Sequence, residues 1–181
     1  MPTHAAFLRG VNLGAQRRAS ADRLRSVFEG TGFDDVATFR TSGNVVFDAR
    51  REPASKLAPR IESALADSLG FEVTIFLRTA GEVRAIAAHQ PFPRSAVDAS
   101  AGKLQVALLP AKPAKKKREE ILALATEEDR LAFGGRELYW LPTGGTRDAA
   151  LNMGTIDKLL RPMTMRTKGT LEQLAAKYFA G

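Results

Sequence analysis

The sequence predicts an α+β fold built from two copies of a βαββαβ unit, followed by a C-terminal helix. A passage around Arg78 recurs around Arg166 at a constant offset, and in both copies an arginine-threonine pair precedes an alanine-containing helical pattern. Each half of the chain also shows the same order of strand and helix patterns. This order is that of ferredoxin-like units, so we expect two antiparallel sheets, each with helices on one face.

The first half, residues 1–100, contains four strand patterns and two helix patterns. Alternating or β-branched apolar residues predict the strands, and apolar residues at helical spacing predict the helices. Ser20 is a suitable N-cap for the first helix, and Gly70 is a suitable end for the second. In chain order the predicted segments are residues 5–8, 20–30, 36–41, 45–48, 53–70 and 72–77.

The second half, residues 101–181, repeats this order and ends with a further helix. Asn152 or Thr155 begins the helix before the last strand, and Gly134 lies in the turn of the hairpin. Residues 90–102 contain two prolines and no periodicity, which predicts a linker and a domain boundary near residue 100. The predicted segments are residues 104–109, a helix after Pro113, residues 130–133, 137–141, a short helix, residues 163–165 and the terminal helix.

The charge of the chain favours an anionic partner. The formal net charge is +7, and the excess of Lys and Arg is spread over both halves. A basic surface attracts nucleic acids and anionic small molecules, although a scattered excess also serves solubility. Both kinds of partner therefore stay open.

The composition also restricts location and chemistry. The chain contains no cysteine, which excludes disulfides, thiolate metal sites and cysteine nucleophiles and fits a reducing compartment. The N-terminal sequence does not resemble a signal peptide, and no apolar run approaches the length of a membrane span. We therefore expect a soluble cytoplasmic protein with no membrane partner.

The loop over residues 9–14 is the first candidate for a binding site. It follows the first strand and runs through Arg17 and Arg18 into the N-terminus of a helix, where backbone N–H groups and the helix dipole favour anions. Its glycine spacing matches neither a Walker A loop nor a dinucleotide fingerprint. The alternative interpretation is a turn in which the glycines supply positive φ and Asn12 caps its neighbours.

The hairpin turn at residues 41–44 strengthens this candidate. In a ferredoxin-like unit the first two strands are parallel, so this turn and the loop over residues 9–14 emerge at the same edge of the sheet. Two polar loops at one edge favour a binding site, although the turn residues can also serve only the hairpin backbone. The predicted ligand-binding residues are Arg9, Gly10, Asn12, Gly14, Arg17, Arg18, Ser42, Asn44 and Arg166.

The repeated arginines have a structural alternative. Thr79 and Glu82 have the spacing of a capping box, and Thr167 can cap the terminal helix in the same way. Arg78 and Arg166 therefore either brace the strand-helix corner in each copy or contribute to a site.

Two further polar segments are ambiguous. Residues 115–118 are all basic and start a predicted helix that ends in the acidic residues 127–129, so both ends oppose the helix dipole. Residues 143–148 form a glycine-containing polar loop. The functional interpretations are that an anion binds at the basic end of the helix and that the loop closes over a ligand. The alternative is that both segments are solvated surface.

Residues for catalysis and metal binding are scarce. His4 and His89 are the two histidines, and neither has an evident partner in the sequence. Asp34, Asp35 and Asp48 are available as bases, but no motif selects one of them. We expect no metal site and no cofactor, and the pattern leaves open whether the protein is an enzyme.

The chain resembles the bacterial family of unknown function numbered 1697. The resemblance lies in residues 7–14, Leu24-Arg25 with Gly32-Phe33, residues 41–47, and residues 164–166 with Thr170. It implies the duplicated α/β architecture and a soluble bacterial protein, but it implies no activity. The family usually has Asn-Trp after the terminal arginine, whereas this chain has Thr167 and Lys168, which removes an aromatic platform from that corner.

Three functional hypotheses follow from the sequence. The first is a protein that binds a phosphate-bearing small molecule or nucleic acid at the polar loop edge. The second is an enzyme that acts on a phosphorylated or carboxylated substrate, with a carboxylate of raised pKa beside the loop. The third is a protein-interaction module or homodimer, which an exposed apolar patch would indicate.

Overall fold

The computed structural model describes residues 1–12, 14–49, 52–144, 151 and 153–180. The chain divides into two compact units, Met1–Ile86 with Gln173–Gly181, and Ala87–Glu172. The domain boundary near residue 100 stays a prediction.

The first unit contains one antiparallel sheet of four strands in the order β2-β3-β1-β4. β1 is the central strand that pairs with both β3 and β4, and β2 pairs with β3. The order along the chain is βαββαβ, as predicted. The elements are β1 (His4–Arg9), α1 (Ala21–Gly30), β2 (Asp34–Thr38), β3 (Asn44–Asp48), α2 (Ala54–Leu69), β4 (Thr74–Thr79) and α3 (Ala80–Ala88).

The second unit contains a sheet of the same topology, in the order β6-β7-β5-β8. The duplicated α+β fold is therefore confirmed. An additional helix, α4 (Arg94–Ala99), lies in the predicted linker. The remaining elements are β5 (Gln105–Leu108), α5 (Lys115–Leu122), β6 (Asp129–Phe133), β7 (Glu137–Pro142), α6 (Met153–Leu160), β8 (Thr164–Thr167) and α7 (Lys168–Tyr178).

The register of the strands places the two repeated arginines at equivalent positions. Ala5 on β1 lies opposite Arg78 on β4. Val106 on β5 lies opposite Arg166 on β8. Each guanidinium also donates a hydrogen bond to the carbonyl of the residue before it. The two arginines thus occupy the same place in the two sheets.

Strands β1, β3 and β4 of the first sheet bury side chains on both faces of the sheet, whereas the residues of β2 are exposed or half-buried. On one face Phe47 packs with apolar residues of α1 and α2, such as Phe28 and Leu57. On the other face Phe7 and Phe76 are also buried. These buried aromatic residues therefore do not form an exposed platform for stacking RNA bases.

The prediction for the second strand was wrong at its C-terminal end. The sequence predicts an extended strand through residue 41, whereas β2 ends at Thr38. Arg40 has φ +59° in the left-handed region, which interrupts the extended backbone before the hairpin turn.

The acidic end of the basic helix was also predicted wrongly. α5 ends at Leu122, so residues 127–129 lie beyond it. Asp129 instead begins β6 and is fully buried. Its carboxylate accepts hydrogen bonds from Trp140 Nε1 at 2.7 Å and from the backbone N–H of Leu151 at 2.9 Å.

The turn between β2 and β3 requires glycine at position 43. Gly43 has φ +75°, and a Cβ there would lie 2.5 Å from Cγ2 of Val11 and 3.1 Å from Cβ of Leu8. Overpacking costs about 1–3 kcal/mol, and a Cβ in the left-handed region costs about 1–2 kcal/mol. We expect Gly43→Ala to lower the free energy of unfolding by at least about 2 kcal/mol in urea titrations.

Gly30→Ala is the matched control for this prediction. A Cβ at Gly30 meets no atom within 4 Å, and the residue ends helix α1, where alanine is preferred to glycine. We expect this variant to be at least as stable as the wild type. Equal stability of the two variants would show that the turn does not depend on the close approach.

Candidate functional site

The candidate site lies at one edge of the first sheet. β1 and β2 are both antiparallel to β3, so they run parallel to each other and their C-terminal ends, Arg9 and Thr38, lie at the same edge. The connection to α1 and the turn before β3 leave the sheet there.

Asn12 joins these two loops. Its Nδ2 donates a hydrogen bond to the carbonyl oxygen of Thr41 at 2.6 Å, and its Oδ1 accepts one from the backbone N–H of Ala19 at 3.1 Å. Asn12 has φ +57°, a conformation that asparagine tolerates better than most residues. The Asn12 amide therefore holds the hairpin turn against the residues that precede α1.

Asn44 and Ser42 serve the hairpin. Asn44 is 0% exposed, and its Nδ2 donates to the carbonyl oxygen of Phe39 at 2.8 Å and to Oγ of Ser42 at 3.0 Å. These hydrogen bonds lie within the hairpin, as expected if the turn residues serve only the hairpin backbone. A ligand at this edge meets the exposed Ser42 rather than the buried amide of Asn44.

A cavity of about 500 Å³ lies between the two loops and the N-terminus of α1. Its lining includes apolar groups such as Leu24 and Ala21, and its polar groups come from both loops. The volume falls within the range of small-molecule sites. The described lining residues are Asn12, Arg18, Ala19, Ser20, Ala21, Leu24, Thr38, Arg40, Thr41 and Gly43.

Two arginines are the charged groups among these lining residues. Arg18 is exposed, and its guanidinium forms no ion pair with any residue that the structure describes. Arg40 donates from Nη2 to Oε1 of Gln173, which belongs to the same unit. Ser20 caps α1 by accepting a hydrogen bond from the N–H of Arg23 at 3.1 Å, as the sequence predicts.

The other loop residues of the predicted site lie beside the cavity rather than in its described lining. Arg9 is half-buried at the end of β1, and the guanidinium of Arg17 lies over the ring of Phe71 at 5.6 Å. Gly10 has φ +85°, and a Cβ there would lie 3.2 Å from Nη1 of Arg17. Gly14 has φ +72° in an exposed stretch of the loop.

Arg166 belongs to β8 of the second unit and is 7% exposed. Its Nη1 donates to Oγ1 of Thr164 at 2.9 Å and to the carbonyl oxygen of Met165 at 2.8 Å. Burial lowers the pKa of its guanidinium to about 10. Arg78, its counterpart on β4, is 1% exposed. Both arginines are thus buried.

The corners after the repeated arginines contain helix caps. The N–H of Thr79 donates to Glu82 Oε2 at 2.9 Å, and the N–H of Glu82 donates to Thr79 Oγ1 at 3.2 Å, which completes the predicted capping box. Thr167 caps α7 by accepting from the N–H of Thr170 at 3.2 Å. Lys168 is buried and donates from Nζ to the carbonyl oxygen of Ala87 at 2.6 Å.

The two histidines have aromatic neighbours. His4 stacks on Phe47 with ring centroids 5.8 Å apart, and its Nδ1 lies 2.9 Å from Oγ1 of Thr3. His89 lies against Tyr139 at 4.9 Å. Within the described residues, no group of three or more His, Asp or Glu side chains is arranged to hold a metal ion.

Parts of two predicted features lie outside the described residues. These are residues 145–148 of the polar loop and Asn152, one of the two candidate starts of α6. The helix begins at Met153. In the described part of the chain, no helix has both the length and the apolar character needed to cross a membrane.

Arg40 lines the cavity although the sequence pattern does not indicate it as a site residue. The sequence predicts that Arg40 continues the second strand. In the structure, its left-handed φ directs the backbone out of the sheet at this residue. The local signal is the turn sequence that follows, Thr41 to Gly43, because strands end before such residues.

The topology and the polar edge define a duplicated ferredoxin-like α+β protein with a candidate ligand cavity in its first unit. The family model for a protein of unknown function, DUF1697, matches residues 1–139, and the chain therefore belongs to this family. The resemblance seen in the sequence is thus confirmed. The matched range ends before Thr167 and Lys168.

The fold is also that of a solved structure. The conserved bacterial protein SP0830 from Streptococcus pneumoniae is similar to this chain with a TM-score of 0.75 and 18% sequence identity, over 97% of each chain. At this identity the similarity shows the fold alone. No curated protein matches the chain.

Removal of the Asn12 side chain should loosen the two loops. Asn12→Gly keeps a residue that accepts positive φ but removes two hydrogen bonds, each worth about 0.5–1.5 kcal/mol. We expect a loss of about 1–3 kcal/mol in the free energy of unfolding, measured in urea. Gln16→Gly, an exposed change in the same loop, should cost less than about 1 kcal/mol. Equal losses would contradict the bridging role of Asn12.

The stability of the protein should fall as His4 becomes protonated. Burial lowers the pKa of His4 and outweighs the attraction of Asp48 and Glu82, which raises it. The unfolded chain therefore binds the proton more readily, and folding stability is lost as the pH falls below about 6.5.

We expect the decrease in unfolding free energy between about pH 7.5 and about pH 5.5 to be smaller in His4→Phe, which keeps an aromatic ring on Phe47 but does not titrate. Urea titrations at both pH values provide the measurement. An identical decrease in the wild type and the variant would rule out His4 as the source.

Proposed function

We propose that the protein binds a phosphate-bearing ligand in the cavity beside α1. The observation that carries this proposal is the position of Arg18 and Arg40 on opposite loops around one cavity. Two guanidinium groups supply charged donors in a geometry suited to phosphate oxygens.

The N-terminus of α1 adds to this positive environment. Ala21 lines the cavity, and the N–H groups of the first helical turn have no partner within the helix. Asp22 lies in the same turn and opposes an anion, but its carboxylate is 3.8 Å from Nη1 of Arg25 and is not among the described lining residues. The local charge therefore favours an anion.

The composition of the cavity favours binding over catalysis. Among its described lining residues none is a carboxylate or a histidine. A general base within reach of the ligand is therefore missing from this set, and the enzyme hypothesis has less support than the binding hypothesis. The apolar groups in the lining of the cavity favour a ligand with an apolar or aromatic part.

Location and assembly stay predictions. The absence of cysteine is the reason to propose a cytoplasmic protein. In the part of the chain that the structure describes, Met1 and Leu122 are the large apolar residues with exposed side chains. Two separate residues do not make an apolar patch, so the homodimer or interaction module has less support than ligand binding.

We expect Arg18→Gln and Arg40→Gln each to weaken the binding of inorganic phosphate about tenfold, because a hydrogen bond to a charged group contributes about 1.5–3 kcal/mol. Isothermal titration calorimetry at low salt provides the measurement. Lys56→Gln removes the same charge from an exposed position on α2 and should leave the affinity unchanged. An equal effect of all three variants would mean that net charge, and not this site, attracts the anion.

A further inference from the structure

A cluster of aromatic and cationic side chains lies next to the cavity in the first unit. The rings of Phe39 and Tyr178 meet edge to face at 6.1 Å with an interplanar angle of 85°. Arg40 Cζ lies 5.6 Å from the centroid of Phe39. Lys177 Nζ lies 6.0 Å from the centroid of Phe39 and 5.1 Å from that of Tyr178.

Neither ring belongs to the described core between the sheet and its helices. Phe39 and Tyr178 are both half-buried, and the apolar cluster around α1 and α2 includes neither of them. Each ring thus keeps some surface in solvent although it is large and apolar. The side chains of Lys177 and Arg40, which contact these rings, are exposed.

Arg40 connects this cluster to the proposed anion site. Its side chain lines the cavity and also lies over Phe39. The hydrogen bond to Gln173 holds the guanidinium in this position. A phosphate in the cavity and a planar group on the rings can therefore both contact Arg40.

We propose that the ligand is a nucleotide unit, with its phosphate between Arg18 and Arg40 and its base packed on the pair of Phe39 and Tyr178, face to face with one ring and against the edge of the other. This inference rests on the proposed anion site. Aromatic rings flanked by Lys and Arg are the combination with which proteins hold single-stranded nucleotides, because every base has a face that stacks and every nucleotide carries a phosphate. The same arrangement binds a free nucleotide or one nucleotide of a single strand.

The test compares adenosine monophosphate with inorganic phosphate by calorimetry. We expect the wild type to bind adenosine monophosphate at least about tenfold more tightly, since base stacking contributes about 1–3 kcal/mol. Phe39→Leu and Tyr178→Leu keep apolar volume but remove the aromatic face. Each should abolish most of this advantage and leave the affinity for inorganic phosphate unchanged.

Phe92→Leu is the matched control, because Phe92 is half-buried in the second unit. This variant should change neither the affinity for adenosine monophosphate nor the affinity for inorganic phosphate. If both ring variants bind adenosine monophosphate as the wild type does, or lose affinity for both probes equally, the stacking inference is wrong while the anion site stands. If inorganic phosphate binding does not respond to Arg18→Gln or Arg40→Gln, the anion site is wrong and the nucleotide inference falls with it.

A fluorescein-labelled octathymidylate distinguishes the two sources of the nucleotide. Affinity well above that for adenosine monophosphate, with a steep decrease as salt is raised and a loss in Phe39→Leu, identifies a single strand. Affinity no higher than that for the mononucleotide identifies a free nucleotide. Both results support the inference, whereas strand binding that is equal in the wild type and in both ring variants contradicts it.

Discussion

The side-chain amide of Asn12 is the contact on which the geometry of the cavity depends. The loop before α1 and the turn before β3 share an edge because of sheet topology, but topology alone does not fix their separation. The bonds from Asn12 to Thr41 and Ala19 do fix it. Since Arg18 precedes Ala19 and Arg40 precedes Thr41, the same amide ties together the backbone segments that carry the two arginines.

The duplicated unit provides a comparison for this edge. In the first unit the N–H of Leu8 donates to the carbonyl oxygen of Gly43, and in the second unit the N–H of Leu109 donates to that of Arg136, at 2.8 and 2.9 Å. The backbone connection is therefore the same, but the residue at the turn is not. Arginine in place of glycine excludes the close packing that Val11 makes on Gly43. The duplication thus preserved the sheet edge, whereas the cavity depends on residues that only the first copy carries.

The strands and helices were predictable because their signals are local. Ser20, Gly70 and the pair Thr79 and Glu82 fix element ends through caps that a sequence displays directly. The cavity was only partly predictable. Asn12 and Arg18 follow from the loop and helix pattern, whereas the place of Arg40 follows from a backbone angle and that of Tyr178 from tertiary packing. Neither of these leaves a periodic signal in the sequence.

The conformation of Arg40 also bears on function. A side chain at φ +59° costs about 1–2 kcal/mol relative to glycine. The contacts with Phe39 and Gln173 offset this cost, since an exposed cation-aromatic contact contributes about 0.5–1 kcal/mol and a hydrogen bond that involves a charged group contributes about 1.5–3 kcal/mol. These contacts therefore offset the cost of the backbone conformation and keep the Arg40 side chain beside the cavity. The unfavourable backbone angle of Arg40 agrees with the proposed binding function, because such angles cluster at ligand-binding sites.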